Sequence, residues 1–134
     1  MADQRSGLLR ACIALAAFVV VVCAGETRSF AAELVMFERP GCVWCERWNA
    51  EVGTIYPKTR ESCLAPLRRV DILRPMPEDL REIAHGGLTP TFVLVDGGVE
   101  IGRIRGYPGE AFFWSLLDEL LARPGAGQSP GNGC

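Results

Sequence analysis

Residues 33–45 read ELVMFERPGCVWC, and this segment carries the strongest indication of how the chain folds. The apolar run at residues 33–38 predicts a buried β-strand, which the Arg-Pro-Gly sequence at 39–41 ends. Cys42 and Cys45 follow at once, at the start of a predicted helix. Their position between a strand and a helix is more informative than the Cys-x-x-Cys spacing itself.

The rest of the chain continues the alternation of strands and helices. The apolar spacing predicts a helix over residues 42–56, ended by Pro57. The apolar residues of this helix are Trp44, Trp48, Val52 and Ile55. Further strands are predicted at 67–72, 91–95 and 99–105, with a short helix at 78–84 and a final helix from Pro108. The expected apolar face of the final helix consists of Phe112, Leu116, Leu117, Leu120 and Leu121.

The element order β-α-β-α-β-β-α predicts an α/β fold with a four-stranded mixed sheet flanked by helices. The β-α-β half requires parallel strands with a right-handed crossover. The Asp-Gly-Gly sequence at residues 96–98 predicts a tight hairpin, and hence an antiparallel second half.

Residues 1–31 are predicted to be an export signal. Arg5 and Arg10 precede an unbroken apolar run at residues 11–24. That run has the length of a signal-peptide core and is shorter than the roughly 20 residues needed to span a bilayer. An uncleaved membrane anchor is the alternative. Either way we expect a periplasmic protein, in contact with the membrane only through this segment, with one domain at 32–123 and a disordered tail at 124–134.

Composition excludes several classes of function. The chain has 134 residues, a formal net charge of −2 and 49% hydrophobic residues, which fits one domain with a buried core and argues against a nucleic-acid partner. His85 is the only histidine, which disfavours His-rich metal sites and Ser-His-Asp hydrolases. We expect no metal and no cofactor.

The pair Cys42 and Cys45 predicts thiol–disulfide exchange. Unpaired N–H groups at a helix N-terminus stabilise a thiolate and lower its pKa below the free value of about 8.5. A second cysteine one turn later can then attack the first sulfur and release a bound partner. Two alternatives remain, a static disulfide and a metal clamp shared with another chain. Haem attachment is excluded because Glu46 stands where a histidine is needed.

Thr89 and Pro90 stand just before the third predicted strand. An X-Pro bond at such a place is either a cis bond kept for specific local geometry or a simple strand-entry proline. The combination of this dipeptide with the cysteine pair after the first strand favours a functional role.

In this order, the motifs resemble those of the thioredoxin superfamily. The matching segments are 34–38, 40–45, 70–71, 88–92 and 102–107, within an overall match over residues 33–122. The chain is most similar to short exported thioredoxin-like proteins, which include thiol reductases encoded with bacterial periplasmic sulfur-oxidation (Sox) systems.

The resemblance implies a role for each site residue. Cys42 would be the nucleophile and Cys45 the resolving thiol. Pro90 would be cis, would pack beside the sulfurs and would keep metal away from them. Thr89 would offer its backbone to an extended substrate segment, and Gly106 would allow that segment to approach closely.

Trp44 is either a hydrophobic platform for partners or a packing residue. Cys63 has three open interpretations: a buried inert thiol, a third redox thiol, or one end of a bridge to Cys134.

The chain departs from the family pattern beside the dithiol. The family's buried acid would fall on Met36 and its lysine partner near Leu67, and neither can move a proton. Glu38 is the nearest carboxyl group. The dipeptide between the cysteines, Val43-Trp44, adds no charge that stabilises a thiolate, which favours a reducing potential.

We therefore expect an exported, monomeric protein-disulfide reductase. Its expected partners are a protein disulfide or thiol substrate and a membrane dithiol protein that donates electrons. A thiol oxidase or disulfide isomerase is the first alternative. A non-catalytic binding module with a static disulfide or metal clamp is the second.

Overall fold

The computed structural model of the protein describes residues 32–126. The predicted export signal at 1–31 and the greater part of the predicted tail, residues 127–134, lie outside the described residues. Within the described part, no helix has both the length and the apolar character needed to cross a membrane.

The secondary structure consists of four strands and three α-helices, joined by shorter helical turns. The strands are β1 (Glu33–Glu38), β2 (Leu67–Asp71), β3 (Thr91–Asp96) and β4 (Val99–Arg105). The α-helices are α1 (Val43–Trp48), α2 (Arg60–Leu64) and α3 (Glu110–Leu121). A π-helical turn at Asn49–Gly53 continues α1, and 3-10 turns lie at Tyr56–Lys58 and Glu78–Leu80.

The strands form one mixed sheet in the order β2-β1-β3-β4. β1 pairs in parallel with β2 and antiparallel with β3, and β3 pairs antiparallel with β4. The predicted α/β class, the four-stranded mixed sheet and the split between a parallel and an antiparallel half are therefore confirmed. Because β1 is an inner strand, the loop that follows its C-terminal end has a strand of the sheet on either side.

Both faces of the sheet are covered, which explains the continuous apolar sequence of β1. Leu34 and Met36 point to one face and Val35 and Phe37 to the other, and all four are fully buried. The first face packs against α1 and α3 around an aromatic cluster of Trp48, Phe92 and Phe113. The second face is covered by the 72–84 segment, through Leu80 and Ile83.

The helix predicted over residues 42–56 is broken into an α-helix, a π turn and a 3-10 turn. Trp48 and Val52 are buried as their spacing predicts, but Trp44 and Ile55 are 53% and 46% exposed. Pro57 does not end the helical segment, because a proline fits the first turn of the 3-10 helix at Tyr56–Lys58.

Two short helices also differ from prediction. The segment around Cys63, for which the sequence predicts no helix or strand, forms α2. Thr59 caps its first turn by accepting the Ser62 N–H at 3.3 Å. The helix predicted at 78–84 is reduced to the 3-10 turn Glu78–Leu80. The three-residue spacing of Leu80 and Ile83 buries both side chains without a full α-helix.

The predicted apolar face of α3 is confirmed at Leu117 and Leu120 and wrong at Phe112 and Leu116. Phe113, Leu117 and Leu120 are buried, whereas Phe112 is 68% and Leu116 36% exposed. Phe113 makes edge contacts with Phe92 at 4.9 Å and with Trp48 at 5.7 Å between ring centroids. These tertiary contacts select one face of a helix that carries large apolar residues on several sides.

Neighbouring phenylalanines on α3 provide a matched test of this core. Phe113→Ala should lower the free energy of unfolding by about 3–5 kcal/mol, because it empties the centre of the aromatic cluster. Phe112→Ala should change it by no more than about 0.5 kcal/mol, because the ring is mostly in solvent. Urea unfolding of the disulfide form measures both, and equal losses for the two variants would contradict this packing.

Candidate active site

Cys42 is the N-cap of α1. Its backbone is extended (φ −82°, ψ 100°), and its carbonyl oxygen accepts the Glu46 N–H at 3.0 Å. Its Sγ accepts the backbone N–H of Cys45 at 3.1 Å. Gly41 just before it has φ +70°, a conformation that glycine adopts without steric cost and that turns the chain from β1 into the helix.

Cys42 and Cys45 are joined by a disulfide, with their Cα atoms 5.2 Å apart. Both residues are nearly covered, at 6% and 3% exposure, and belong to the core cluster on the α1 side of the sheet. Between them Val43 is 71% and Trp44 53% exposed. The redox pair is thus held firmly by the core, beside two apolar side chains that face solvent.

A groove of about 280 Å³ opens beside the dithiol helix. We call it the dithiol groove. Trp44 forms one wall, Leu88 and Thr89 form the second, and residues 105–108 form the third. Leu88 is 47% and Trp44 53% exposed, so both give the groove accessible apolar surface.

The structure places the predicted site residues around this groove. Trp44, Thr89 and Gly106 line it. Pro90 is buried at the next position after Thr89, and the Thr89–Pro90 peptide bond is cis. The Pro90 carbonyl accepts the Gly106 N–H at 2.8 Å, which joins the start of β3 to the end of β4 beneath the groove.

A chain of polar contacts connects two walls of the groove. The buried Tyr107 donates its hydroxyl to Glu51 Oε2 at 2.6 Å. Glu51 Oε1 accepts from Arg47 Nε at 2.9 Å, and the Arg47 guanidinium lies 5.7 Å from the centroid of the Trp44 ring. Glu51, which accepts both of these hydrogen bonds, lies in the π turn that follows α1.

The titration behaviour of these groups follows from the same contacts. The hydrogen bond from Tyr107, followed by that from Arg47, lowers the pKa of Glu51 below its ordinary value. Burial, followed by the hydrogen bond to Glu51, raises the pKa of Tyr107. At neutral pH the pair therefore consists of a carboxylate acceptor and a protonated phenol donor.

No carboxylate lies beneath the dithiol in the described part of the chain. The buried polar residues among positions 32–126 are Thr89 and Thr91, and Met36 is fully buried in the core cluster that holds both cysteines. Glu38 forms an ion pair with Arg69, whose Nε donates at 2.8 Å. As the sequence indicated, Met36 therefore occupies the buried position at which the family pattern has an acid.

Cys63 is exposed and disulfide-bonded, which excludes the buried inert thiol among its three interpretations. Within residues 32–126, no group of three or more His, Cys, Asp or Glu side chains is arranged to hold a metal ion.

The fold and the capped cysteine pair define the class of the protein: it is a thiol–disulfide oxidoreductase. Comparison with solved structures agrees. The chain is similar to the crystal structure of the periplasmic thioredoxin SoxS from Paracoccus pantotrophus (reduced form), with 47% sequence identity and a TM-score of 0.61, over 67% of this chain and 95% of that one.

Two further structures support the fold alone. A thioredoxin from Thermus thermophilus has 24% identity and a TM-score of 0.56, over 76% of this chain and 80% of its own. A designed protein has 23% identity and a TM-score of 0.51, over 72% of this chain and 81% of its own. No family model matches the chain, and no curated protein does.

The chain belongs to the thioredoxin superfamily. The resemblance stated from the sequence, including the similarity to thioredoxin-like proteins of sulfur-oxidation systems, is thereby confirmed.

Sequence reasoning missed part of the site. Arg47 and Glu51 look like an ordinary solvated helix face, and only their four-residue spacing indicates a pair. Nothing local connects Glu51 with Tyr107, which lies 56 positions away. Leu88 and Arg105 join the groove only when the loop before β3 meets the end of β4.

Removing the Tyr107 hydroxyl should move the titration of Glu51. In Tyr107→Phe the pKa of Glu51 should rise, because the largest cause of its lowering is lost. In the native protein the stabilisation from this carboxylate is present above the ordinary glutamate range and is lost as pH falls through the lowered pKa. Carboxyl-carbon NMR titration measures the shift.

Tyr56→Phe is the matched control, since the Tyr56 hydroxyl donates to the Ala65 carbonyl at 2.7 Å and has no contact with Glu51. The proposed link would be refuted by an unchanged Glu51 titration in Tyr107→Phe, or by an equal shift in both variants.

Proposed function

We propose that the protein is an exported reductase of protein disulfides that acts through Cys42 and Cys45. The observation that carries this proposal is the N-cap geometry of Cys42, whose sulfur accepts a backbone N–H at 3.1 Å beside an open groove. The same N–H that contacts the sulfur in the disulfide is positioned to stabilise a thiolate in the dithiol form.

The exchange proceeds in two balanced steps. The Cys42 thiolate attacks one sulfur of the substrate disulfide; a Cys42–substrate bond forms, the substrate S–S bond breaks, and one substrate thiolate leaves. The Cys45 thiolate then attacks Cys42 Sγ; the Cys42–Cys45 bond forms and the second substrate thiolate leaves. Two electrons pass to the substrate, and the two protons of the dithiol end on the substrate thiols or in solvent.

The dithiol groove suits an extended polypeptide. In our proposal the Thr89 backbone pairs with the substrate segment as in strand addition. Gly106 has no side chain, so the segment can lie close to the opposite wall. The exposed rings and methyl groups of Trp44 and Leu88 supply apolar contact at the two sides. This assigns Trp44 to partner contact rather than to packing.

We propose the reducing direction because few groups stabilise the Cys42 thiolate. A strongly oxidising pair requires a stabilised dithiol form. Here Val43 and Trp44 add no charge, Arg47 is paired with Glu51, and Glu46 places a negative charge in the first turn of α1. Among the groups of α1, the helix N-terminus alone therefore supports the thiolate.

Export is supported by the apolar run at residues 11–24 and by the periplasmic location of SoxS. A reductase in an oxidising compartment needs a supply of electrons. We propose a membrane dithiol protein as the donor and a monomer as the working form.

Serine variants at the two cysteines should behave differently. Mixed with insulin as a disulfide substrate, reduced Cys45→Ser should accumulate a Cys42–insulin mixed disulfide, because no second thiol releases it. Cys42→Ser should neither reduce insulin nor form the adduct. Non-reducing gel electrophoresis and mass spectrometry detect the adduct. When the full chain is expressed, the protein should be found in the periplasmic fraction.

A static disulfide would give a different pattern in the same experiment. Neither variant would then trap insulin, and the native pair would stay unreduced in excess dithiothreitol. Equal trapping by both variants would also overturn the assigned order of attack.

The redox potential should lie at the reducing end of the family range. We expect a value nearer to about −270 mV, as for a reducing thioredoxin, than to about −120 mV, as for a strong oxidant. Equilibration of the pair with dithiothreitol buffers, read by alkylation of free thiols, measures it. A value near the oxidising end would favour the thiol oxidase instead.

A further inference from the structure

Arg105 is the charged residue of the dithiol groove. It ends β4, where it is paired with Thr91 of β3, and its side chain is exposed. Gly106 and Tyr107, which follow it, continue the same groove wall. A positive charge therefore stands among otherwise uncharged lining residues.

The charge of Arg105 is not compensated within residues 32–126. Two other arginines close to this part of the fold are neutralised: Arg47 by Glu51 at 2.9 Å, and Arg103 by a two-point contact with Glu100. The Arg105 side chain takes part in no ion pair or hydrogen bond with the described residues. Its donors are therefore available to a ligand.

The guanidinium lies over the loop that leads to Thr89. A Cβ atom placed on Gly86 would be 3.4 Å from Arg105 Nη2, so the absence of a side chain there lets the guanidinium approach the loop backbone. Gly86 has φ +68°, which disfavours any other residue at this point. The charge is thus held against the wall along which an extended substrate would pair.

We infer that Arg105 makes this reductase select polypeptide disulfides that carry a carboxylate side chain beside the reactive cysteine. A guanidinium presents paired N–H donors that match the two oxygens of a carboxylate. The chain as a whole has a formal net charge of −2, so a preference for acidic substrates cannot come from its overall field and has to arise locally. The inference rests on the proposed function and names its substrate class.

The test uses the full chain in the dithiol form and three disulfide-linked peptides. The peptides are identical except for the residue next to the cysteine, which is Glu, Gln or Lys. The native protein should reduce the Glu peptide with a kcat/KM about three- to tenfold above that for the Gln peptide, and the Lys peptide should be the poorest substrate. The preference should shrink as salt is raised from about 0.05 to 0.5 M, because the pair is exposed.

Variants assign the preference to one residue. Arg105→Gln should bring the Glu to Gln ratio close to one, and Arg105→Lys should keep part of it, because the charge remains but the fork geometry is lost. Arg81→Gln is the matched control: Arg81 is also exposed, but it lies in the segment that covers the other face of the sheet. It should retain the full native ratio.

The possible results separate the inference from the proposed function. Equal rates for the three peptides with the native protein, or a preference that survives in Arg105→Gln, would overturn the role of Arg105 and leave the reductase intact. Bis(2-hydroxyethyl) disulfide, a small neutral substrate, is included for the native protein. If neither it nor any peptide is reduced, the proposed function fails and the inference fails with it.

Discussion

The hydrogen bond that the Cys45 N–H donates to the Cys42 sulfur organises the site. A side chain that caps a helix normally supplies oxygen; here sulfur occupies that place and accepts the N–H at 3.1 Å. The same contact closes the first turn of α1 and brings the second cysteine within bonding distance of the first. The geometry that begins the helix is therefore also the geometry that brings the two sulfurs together.

The sheet gives this short helix a rigid base. β1 is one of the two inner strands and is buried on both faces, so the turn after it leaves the sheet at a fixed point. The start of β3 and the end of β4 reach the same region, where the Pro90 carbonyl holds the Gly106 backbone. Three separate pieces of chain thus meet around one groove, and the contact between Tyr107 and Glu51 connects two of its walls.

Features governed by neighbours in the chain were predictable from the sequence. Local patterns predict the buried strands, the hairpin at residues 96–98 and the cysteine pair at a helix start. The resemblance of these motifs to the thioredoxin superfamily then predicts the fold. The face of α3 was not predictable, because Phe112 and Phe113 are equally apolar and only contact with Phe92 and Trp48 distinguishes them. The groove charge at Arg105 was missed for a similar reason: the loop at Gly86 that it approaches is distant in sequence.

Met36 has a consequence for how this fold handles protons. A carboxylic acid at that depth would be costly to ionise, and the thioether removes this cost and adds packing instead. The core cluster that holds Cys45 therefore has an apolar side chain at this position, where an acid could have stored a proton. No carboxylate is buried among residues 32–126, so in the proposed reaction the proton of Cys45 would pass to the surrounding water, the buffer or the bound partner.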